Sequence, residues 1–310
     1  MSAPASILPA AAAALRRRSI LCVLGAAGTF SIAAAAVKAL GGEIPLAQVI
    51  LCRNLFALPV LLSLAWQAGG VVAALRTRNP MGHAVRILAG LMGMAGAFYG
   101  YAVLPIAMVT ALGFTMPLFL TALSVVLLGE RVGPRRWSAV AVGFCGVLLM
   151  LGGPGPAGDT GSGGGREAGA ILMVLIGALG WALAMISIRR MGEKGEAGVT
   201  IVLWFAIGAA LVGGLAAIPV WVWPTPLQWA LLATTGLVSA LAQLLMTEAY
   251  RRGETTLIAP FEYSGILWTT LLGLLLWAEV PDAWDLGGFA VLVGAGLYIW
   301  HREVKLGLAR

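Results

Sequence analysis

YAVLPIAMVTALGFTMPLFLTALSVVLLGE, residues 101–130, is answered 149 residues later by YRRGETTLIAPFEYSGILWTTLLGLLLWAE, residues 250–279. Each is a membrane-length apolar run framed by Tyr and Glu, with Leu118 matching Leu267, Thr121 matching Thr270 and Leu127 matching Leu276. Matches between such common residues are weak on their own. The offset recurs, however: the first apolar run opens near Ser19, and the same step lands at Ala168, where the run after a Gly-rich segment opens. A repeat at a fixed offset decides the architecture before any local reading does.

Composition sets the class. Of 310 residues, 60% are hydrophobic and only 11% charged, and the mean hydropathy of +0.94 is far above the soluble norm. The chain reads as an all-α integral membrane protein. Cys22, Cys52 and Cys145 all fall inside apolar runs, where a thiol behaves as a small hydrophobe, and their spacing suggests neither a bridge nor a metal site.

Ten apolar runs have the length of a membrane crossing: 19–40, 44–66, 84–104, 106–128, 137–153, 168–188, 199–222, 227–249, 255–277 and 285–301. The third and fourth are separated at Leu104-Pro105, since a residue before proline is pushed out of the helical region. Arg16, Arg17 and Arg18 precede the first run as in a signal peptide, but that run is longer than an ordinary signal core and is expected to be a retained helix.

Lys and Arg orient the spans. With a cytoplasmic N-terminus, 17 of the 20 basic residues, Arg76, Arg78, Arg86, Arg189 and Arg190 among them, fall on the inner side. Only Arg166 lies outside, and Lys38 and Arg53 lie within helices. So strong a bias predicts an even number of spans in the inner membrane, with both termini cytoplasmic. The segment GGPGPAGDTGSGGGREAG, residues 152–169, then falls outside as a flexible linker. The expected domains are a first five-helix repeat at 1–152, the linker at 153–167, a second repeat at 168–303 and a tail at 304–310. Five helices per repeat bring the second copy into the membrane from the opposite side, so the repeats are inverted, a recurring plan of secondary transporters.

Small residues at short spacings, Gly96 and Gly100, Gly143 and Gly146, Gly294 and Gly296, predict close helix contacts. The stretches LLGERV (127–132), APFEYSGILWTTLLGLLLWAEVPD (259–282) and GGFAVLVGAGLYIWHRE (287–303), with Arg53-Asn54-Leu55-Phe56, resemble the repeated domain of the EamA family in the drug/metabolite transporter superfamily. The resemblance implies a ten-helix carrier that moves small organic metabolites without ATP or any cofactor, often exporting amino acids or related compounds. Some similar proteins are associated instead with S-adenosylmethionine or riboflavin. The chain departs from internal symmetry in one place: Gly113-Phe114 stands where the second copy has Glu262-Tyr263, so a mechanism with two equivalent carboxylates is not expected.

Ionisable groups deep in a membrane are costly and are functional hypotheses by default. Lys38 and Glu248 lie near helix ends and can reach the interface. Arg53, roughly 13 Å into the second span, and Glu262, roughly 10 Å into the ninth, are the deep charges by helical rise. Arg53 is expected in a structural ion pair or on helix carbonyls. Glu262, beside Phe261, Tyr263, Ser264 and Trp268, is expected to line a cavity for a cationic group and a flat ring, the carboxylate and the aromatic faces both favouring a cation. Packed as a protonated acid, or paired with Arg53, it would instead be structural. Trp181, Tyr99, Tyr101, Phe114, Thr115 and Gln243 complete the cavity candidates, whereas Trp221, Trp223, Trp229, Trp277 and Trp284 suit an interfacial belt. Proton coupling through Glu262 is compatible with this placement.

Other classes fit less well. The Gly-rich linker has no Gly-Lys-Ser or Gly-Lys-Thr phosphate loop, and a chain with only His83 and His301 lacks the paired histidines of an intramembrane metalloprotease. A lipid-modifying enzyme is the alternative from another class, weakened by the lack of an Asp cluster for a metal-bound diphosphate. A carrier, not an enzyme, is expected, with the bilayer and a small organic substrate as its partners.

Overall fold

The computed structural model describes residues 7–128, 134–151, 164–252 and 261–305. Every regular element among them is helical: α1 (Ile7–Ala39), α2 (Leu46–Gln67), α3 (Val71–Leu75), α4 (Pro80–Val103), α5 (Ile106–Gly113), α6 (Met116–Leu128), α7 (Pro134–Leu151), α8 (Gly164–Glu193), α9 (Gly198–Ala217), α10 (Pro226–Arg252), α11 (Ser264–Trp277) and α12 (Ala283–Lys305). Among these residues six helices are long and apolar enough to cross a membrane: Arg17–Ala39, Leu46–Gln67, Pro80–Val103, Arg166–Glu193, Gly198–Val220 and Pro226–Met246. Shorter apolar stretches follow at Ile106–Leu120, Trp137–Met150, Ser264–Trp277 and Ala283–Tyr298. The chain is a multi-pass membrane protein. Its outward faces carry exposed Leu211, Leu215, Leu267 and Leu275, which lipid accepts and water would not.

The expected span 106–128 is two helices. Pro117 has no N–H to give the carbonyl of Gly113, and the chain unwinds at Phe114-Thr115 before restarting at Met116. Donors around the break bond locally: the Phe114 amide reaches the carbonyls of Thr110 and Ala111, and the Thr115 hydroxyl donates to Leu112 O at 2.7 Å. Further departures are smaller. α8 begins at Gly164, inside the expected linker; α12 continues to Lys305, into the expected tail; and the short α3 was not anticipated. Residues 152–163 of the linker, the first six of the ninth run and residues 306–310 lie outside the described residues.

Packing is dominated by four pairs: α4 with α8, α1 with α10, α2 with α9 and α7 with α12. Each joins a helix before the linker to one after it, so the two portions interlock. Between lipid-solvated helices association rests on close packing, which small residues permit. The α4–α8 seam is built that way. A Cβ on Gly96 would fall 2.2 Å from the carbonyl oxygen of Met173, one on Gly177 3.1 Å from that of Gly93, and one on Gly180 2.8 Å from that of Ala89. The fully buried Gln48 is paired: it exchanges two hydrogen bonds with the backbone of Val222, at 2.7 and 3.1 Å.

Candidate functional site

A cavity of about 320 Å³ lies between α1, α2, α4, α5, α8, α10 and the segment leading into α11. Glycines 93 and 177 of the seam form part of its wall, so the close backbone approach that joins α4 to α8 also shapes the space. Phe114 at the α5–α6 break and Trp181 on α8 supply aromatic faces, and Gln243 on α10 an amide. Ser31, Thr110 and Thr269 each donate to a carbonyl one turn back in their own helix, at 2.8, 3.0 and 2.9 Å, leaving their oxygens able to accept.

Among the described residues two charged ones, Arg53 and Glu262, line the cavity. Arg53 donates from Nε to Ser239 Oγ at 3.3 Å, and its Nη1 lies 3.5 Å from Asn54 Oδ1 and 3.8 Å from the Met94 sulfur. Asn54 is itself fixed to Ile50 O at 2.8 Å. All these partners are neutral. Glu262, in the helical residues just before the turn at 263, has no hydrogen-bond or ion-pair partner among the described residues, and the alternative pairing with Arg53 is not formed there. Their chemistry is complementary: a guanidinium suits an oxyanion and a carboxylate suits a cation.

The cavity brings together Glu262, Trp181, Phe114, Gln243 and Arg53 from the residues singled out in the sequence, with Tyr101. Four others sit elsewhere. Tyr263 stacks behind Phe114, ring centroids 4.8 Å apart, with its hydroxyl pressed against Gly296, because the turn at 263 points it toward α12. Thr115 is buried at the helix break, Tyr99 packs on the apolar cluster around α5 and α8, and Trp268, 44% exposed, turns away with its indole edge near Gly28. Tyr263, Thr115, Tyr99 and Trp268 therefore do not line the cavity.

Beyond the end of the cavity marked by Tyr101 and Thr269, Lys38 and Glu279 meet at 2.7 Å. Lys38 Nζ also donates to Leu104 O at 2.8 Å and lies 5.4 Å from the centre of the Trp277 ring, while Glu279 Oε2 accepts the Ile106 amide at 3.1 Å. One ion pair thus ties the ends of α1, α4 and α11 to the start of α5. Glu279 reaches this place because Ala278 adopts a left-handed conformation, φ 54°, closing α11. Sequence reading assigned Lys38 to the interface and Glu279 to a loop; each sits at a helix end, and nothing in sequence spacing pairs them.

Arg86 was missed for a similar reason. Counted with an inner loop, it lies two turns into α4, is 3% exposed, and stacks on Phe205 and Trp181 with guanidinium-to-centroid distances of 4.1 and 5.8 Å. At the start of α4, Glu196 accepts hydrogen bonds from Thr77 Oγ1 and the Arg78 amide and approaches His83 to 3.9 Å. Burial alone would push the Glu196 carboxyl up, but these bonds and the imidazole bring it below the ordinary carboxylate range.

The EamA-like transporter family matches the chain twice, over residues 17–152 and 168–300. A riboflavin transporter of Rhizobium johnstonii is 32% identical over 253 residues, 81% of this chain and 78% of its own. A pseudopaline exporter of Pseudomonas aeruginosa is 30% identical over 286 residues, 91% of this chain and 95% of its own. An S-adenosylmethionine uptake transporter of Rickettsia bellii is 28% identical over 268 residues, 86% and 88% of the two chains. A protein of known crystal structure shares the fold at a TM-score of 0.63, with 21% identity and coverage of 94% and 97%.

Proposed function

The chain belongs to the EamA-like transporter family, and from that premise we propose a secondary active transporter that carries small organic metabolites, amino acids or related compounds, by alternating access. The observation that carries this reading is the cavity: among the described residues it holds a carboxylate without a partner, a guanidinium bonded only to neutral groups and two aromatic faces, and an ion pair lies beyond one end. A site that moves its cargo needs complementary groups in the middle of the protein and a barrier that can be exchanged from one side to the other.

In this reading the protein has ten spanning helices arranged as two inverted five-helix repeats in the bacterial inner membrane, with both termini cytoplasmic. The helix pairing supports it. Exchanging α1 with α8, α2 with α9, α4 with α10 and α7 with α12 converts the α1–α10 pair into the α8–α4 pair and returns the α2–α9 and α7–α12 pairs to themselves. That is what an internal two-fold relation requires. With the N-terminus inside, the Lys38–Glu279 pair lies at the outer ends of its helices, while Met185, Met246 and Glu262 extend the cavity toward the inner ends. The cargo would load from the cytoplasm and leave outward when the ion pair opens, which makes export the direction proposed.

Uptake of a nucleoside-type metabolite or vitamin is a second reading. It is favoured by the flat faces of Trp181 and Phe114 and by relatives named for riboflavin and S-adenosylmethionine. The experiment is counterflow in proteoliposomes, with labelled amino acids, riboflavin and S-adenosylmethionine offered in turn and no nucleotide present. Saturable counterflow of any of them is the expected result, and its identity chooses between the readings. A strict requirement for ATP, or a flux that never saturates, would overturn both.

A further inference from the structure

Arg86 is a buried guanidinium and Arg53 a partly buried one, neither with an acidic partner among the described residues. Arg86 Nε and Nη1 have no hydrogen-bond partner there, although the side chain is 3% exposed. The ion pairs found among the described residues engage other groups, Lys38 with Glu279 and His83 near Glu196. Arg53 touches the Met94 sulfur, Met94 packs in one buried cluster with Phe205, and Arg86 lies on the Phe205 ring; among the described residues Arg53 bonds only to neutral atoms. Space for the Arg86 head is kept by Gly90, where a Cβ would fall 2.2 Å from Nη1 and 2.5 Å from Phe205 Cε2.

Guanidinium remains charged at any physiological pH, so these groups cannot escape by losing a proton. Stacking on Phe205 and Trp181 offsets part of the lost hydration but supplies no acceptor for the N–H groups. A second positive charge nearby raises the cost further. An arrangement lacking one anion is complete when the anion arrives. Arg53 lines the cavity and Arg86 stands directly behind Trp181, which lines it too, so the cavity is the route by which an anion would come.

We propose that Arg53 and Arg86 form a subsite for an anionic group, carboxylate or phosphate, of the transported molecule, so that the cargo is amphoteric: its oxyanion on the arginines, its cationic or aromatic part toward Glu262 and Trp181. The inference rests on the transporter reading for its cargo but not for its binding chemistry. Arg53, at the cavity wall, makes the direct contact, and Arg86 is the positioning charge behind it that holds the anion in place.

The test uses the full chain in nanodiscs and follows Trp fluorescence on titration with indole-3-propionate, its neutral amide, and 3-indolyl phosphate. The carboxylate or the phosphate probe should bind saturably and at least ten-fold tighter than the amide, and the better of the two identifies the anion. Arg53→Gln and Arg86→Gln should each reduce that preference to near unity, while Arg86→Lys retains part of it. Arg86→Met should raise the melting temperature of the ligand-free protein by a few degrees, because it removes an uncompensated charge; an arginine serving only structure would lower it. Equal affinity for acid and amide, no saturable binding of either anion, or a preference that survives both glutamine substitutions would overturn the proposal. Arginine-dependent binding without counterflow would refute the transporter reading and leave the subsite standing. Counterflow without anion preference would do the reverse.

Discussion

Removing one charge from the Lys38–Glu279 pair should shift the protein toward the state in which that end of the cavity is open. The side chains are 12% and 23% exposed and their charged atoms are 2.7 Å apart. At an effective dielectric constant of about 20, unit charges roughly 3 Å apart attract by about 5 kcal/mol before desolvation is subtracted. Exposed pairs contribute about 0–1 kcal/mol and breaking fully buried ones costs about 3–5 kcal/mol, so a pair of intermediate exposure is expected to contribute about 1–3 kcal/mol. Since about 1.4 kcal/mol is a factor of ten, the ratio of open to closed protein should rise by roughly 5-fold to 140-fold. Glu279→Gln keeps an oxygen for the Ile106 amide, and Lys38→Met keeps most of the stem, so both act mainly on charge. The assay places a cysteine at Ala34, which lines the cavity below the pair, in a chain freed of Cys22, Cys52 and Cys145, and measures its labelling by an impermeant maleimide in intact cells. Labelling should accelerate in each single variant, with no further gain in the double. Unchanged rates in a folded protein, or strictly additive effects, would refute the view that the pair holds the cavity shut.

Glu262→Gln preserves size and removes the charge, so counterflow of a cation-bearing cargo should fall at least about ten-fold, in keeping with the loss of a charge-assisted contact, while the melting temperature stays near that of the parent. Gly96→Leu drives a side chain into the Met173 carbonyl across the α4–α8 seam; overpacking there should cost about 1–3 kcal/mol or more, read as a lower melting temperature in detergent. Because the folded Glu196 carboxyl titrates below the ordinary range, its contribution is present above the usual carboxylate pKa and is lost as pH falls through the folded value. Glu196→Gln should therefore flatten the acid side of the stability profile, and an unchanged profile would remove Glu196 from the account.

The apolar runs that become α1, α2, α4, α9 and α10 were legible because burial in lipid leaves a long unbroken signal, to which each residue contributes independently. The α5–α6 break was also written in the chain, at Pro117, but run length averages over a single missing N–H. Side-chain direction was not legible. Tyr263 follows Glu262 directly, yet one lines the cavity and the other packs on Gly296, because a turn at 263 rotates the chain between them. Trp268, a turn further on, lies off the cavity with its indole near Gly28. Arg86 was invisible because charge alone assigns an arginine near a helix start to the cytoplasm, and only the gap left at Gly90 and the rings of Phe205 and Trp181 show it turned inward.

The α4–α8 seam has a thermal consequence. Where Gly93, Gly96, Gly177 and Gly180 bring backbone against backbone, there are no side-chain rotamers to freeze on contact and none to release on parting. Lys38 is the opposite case, a long flexible stem held by Glu279, Leu104 and Trp277, whose release returns up to about 1.5–2 kcal/mol of rotamer freedom at room temperature. If the helices move during the cycle, the glycine seam behaves as a bearing whose side-chain entropy is the same in every position. The warming response of the cycle then resides at the lysine end of the cavity.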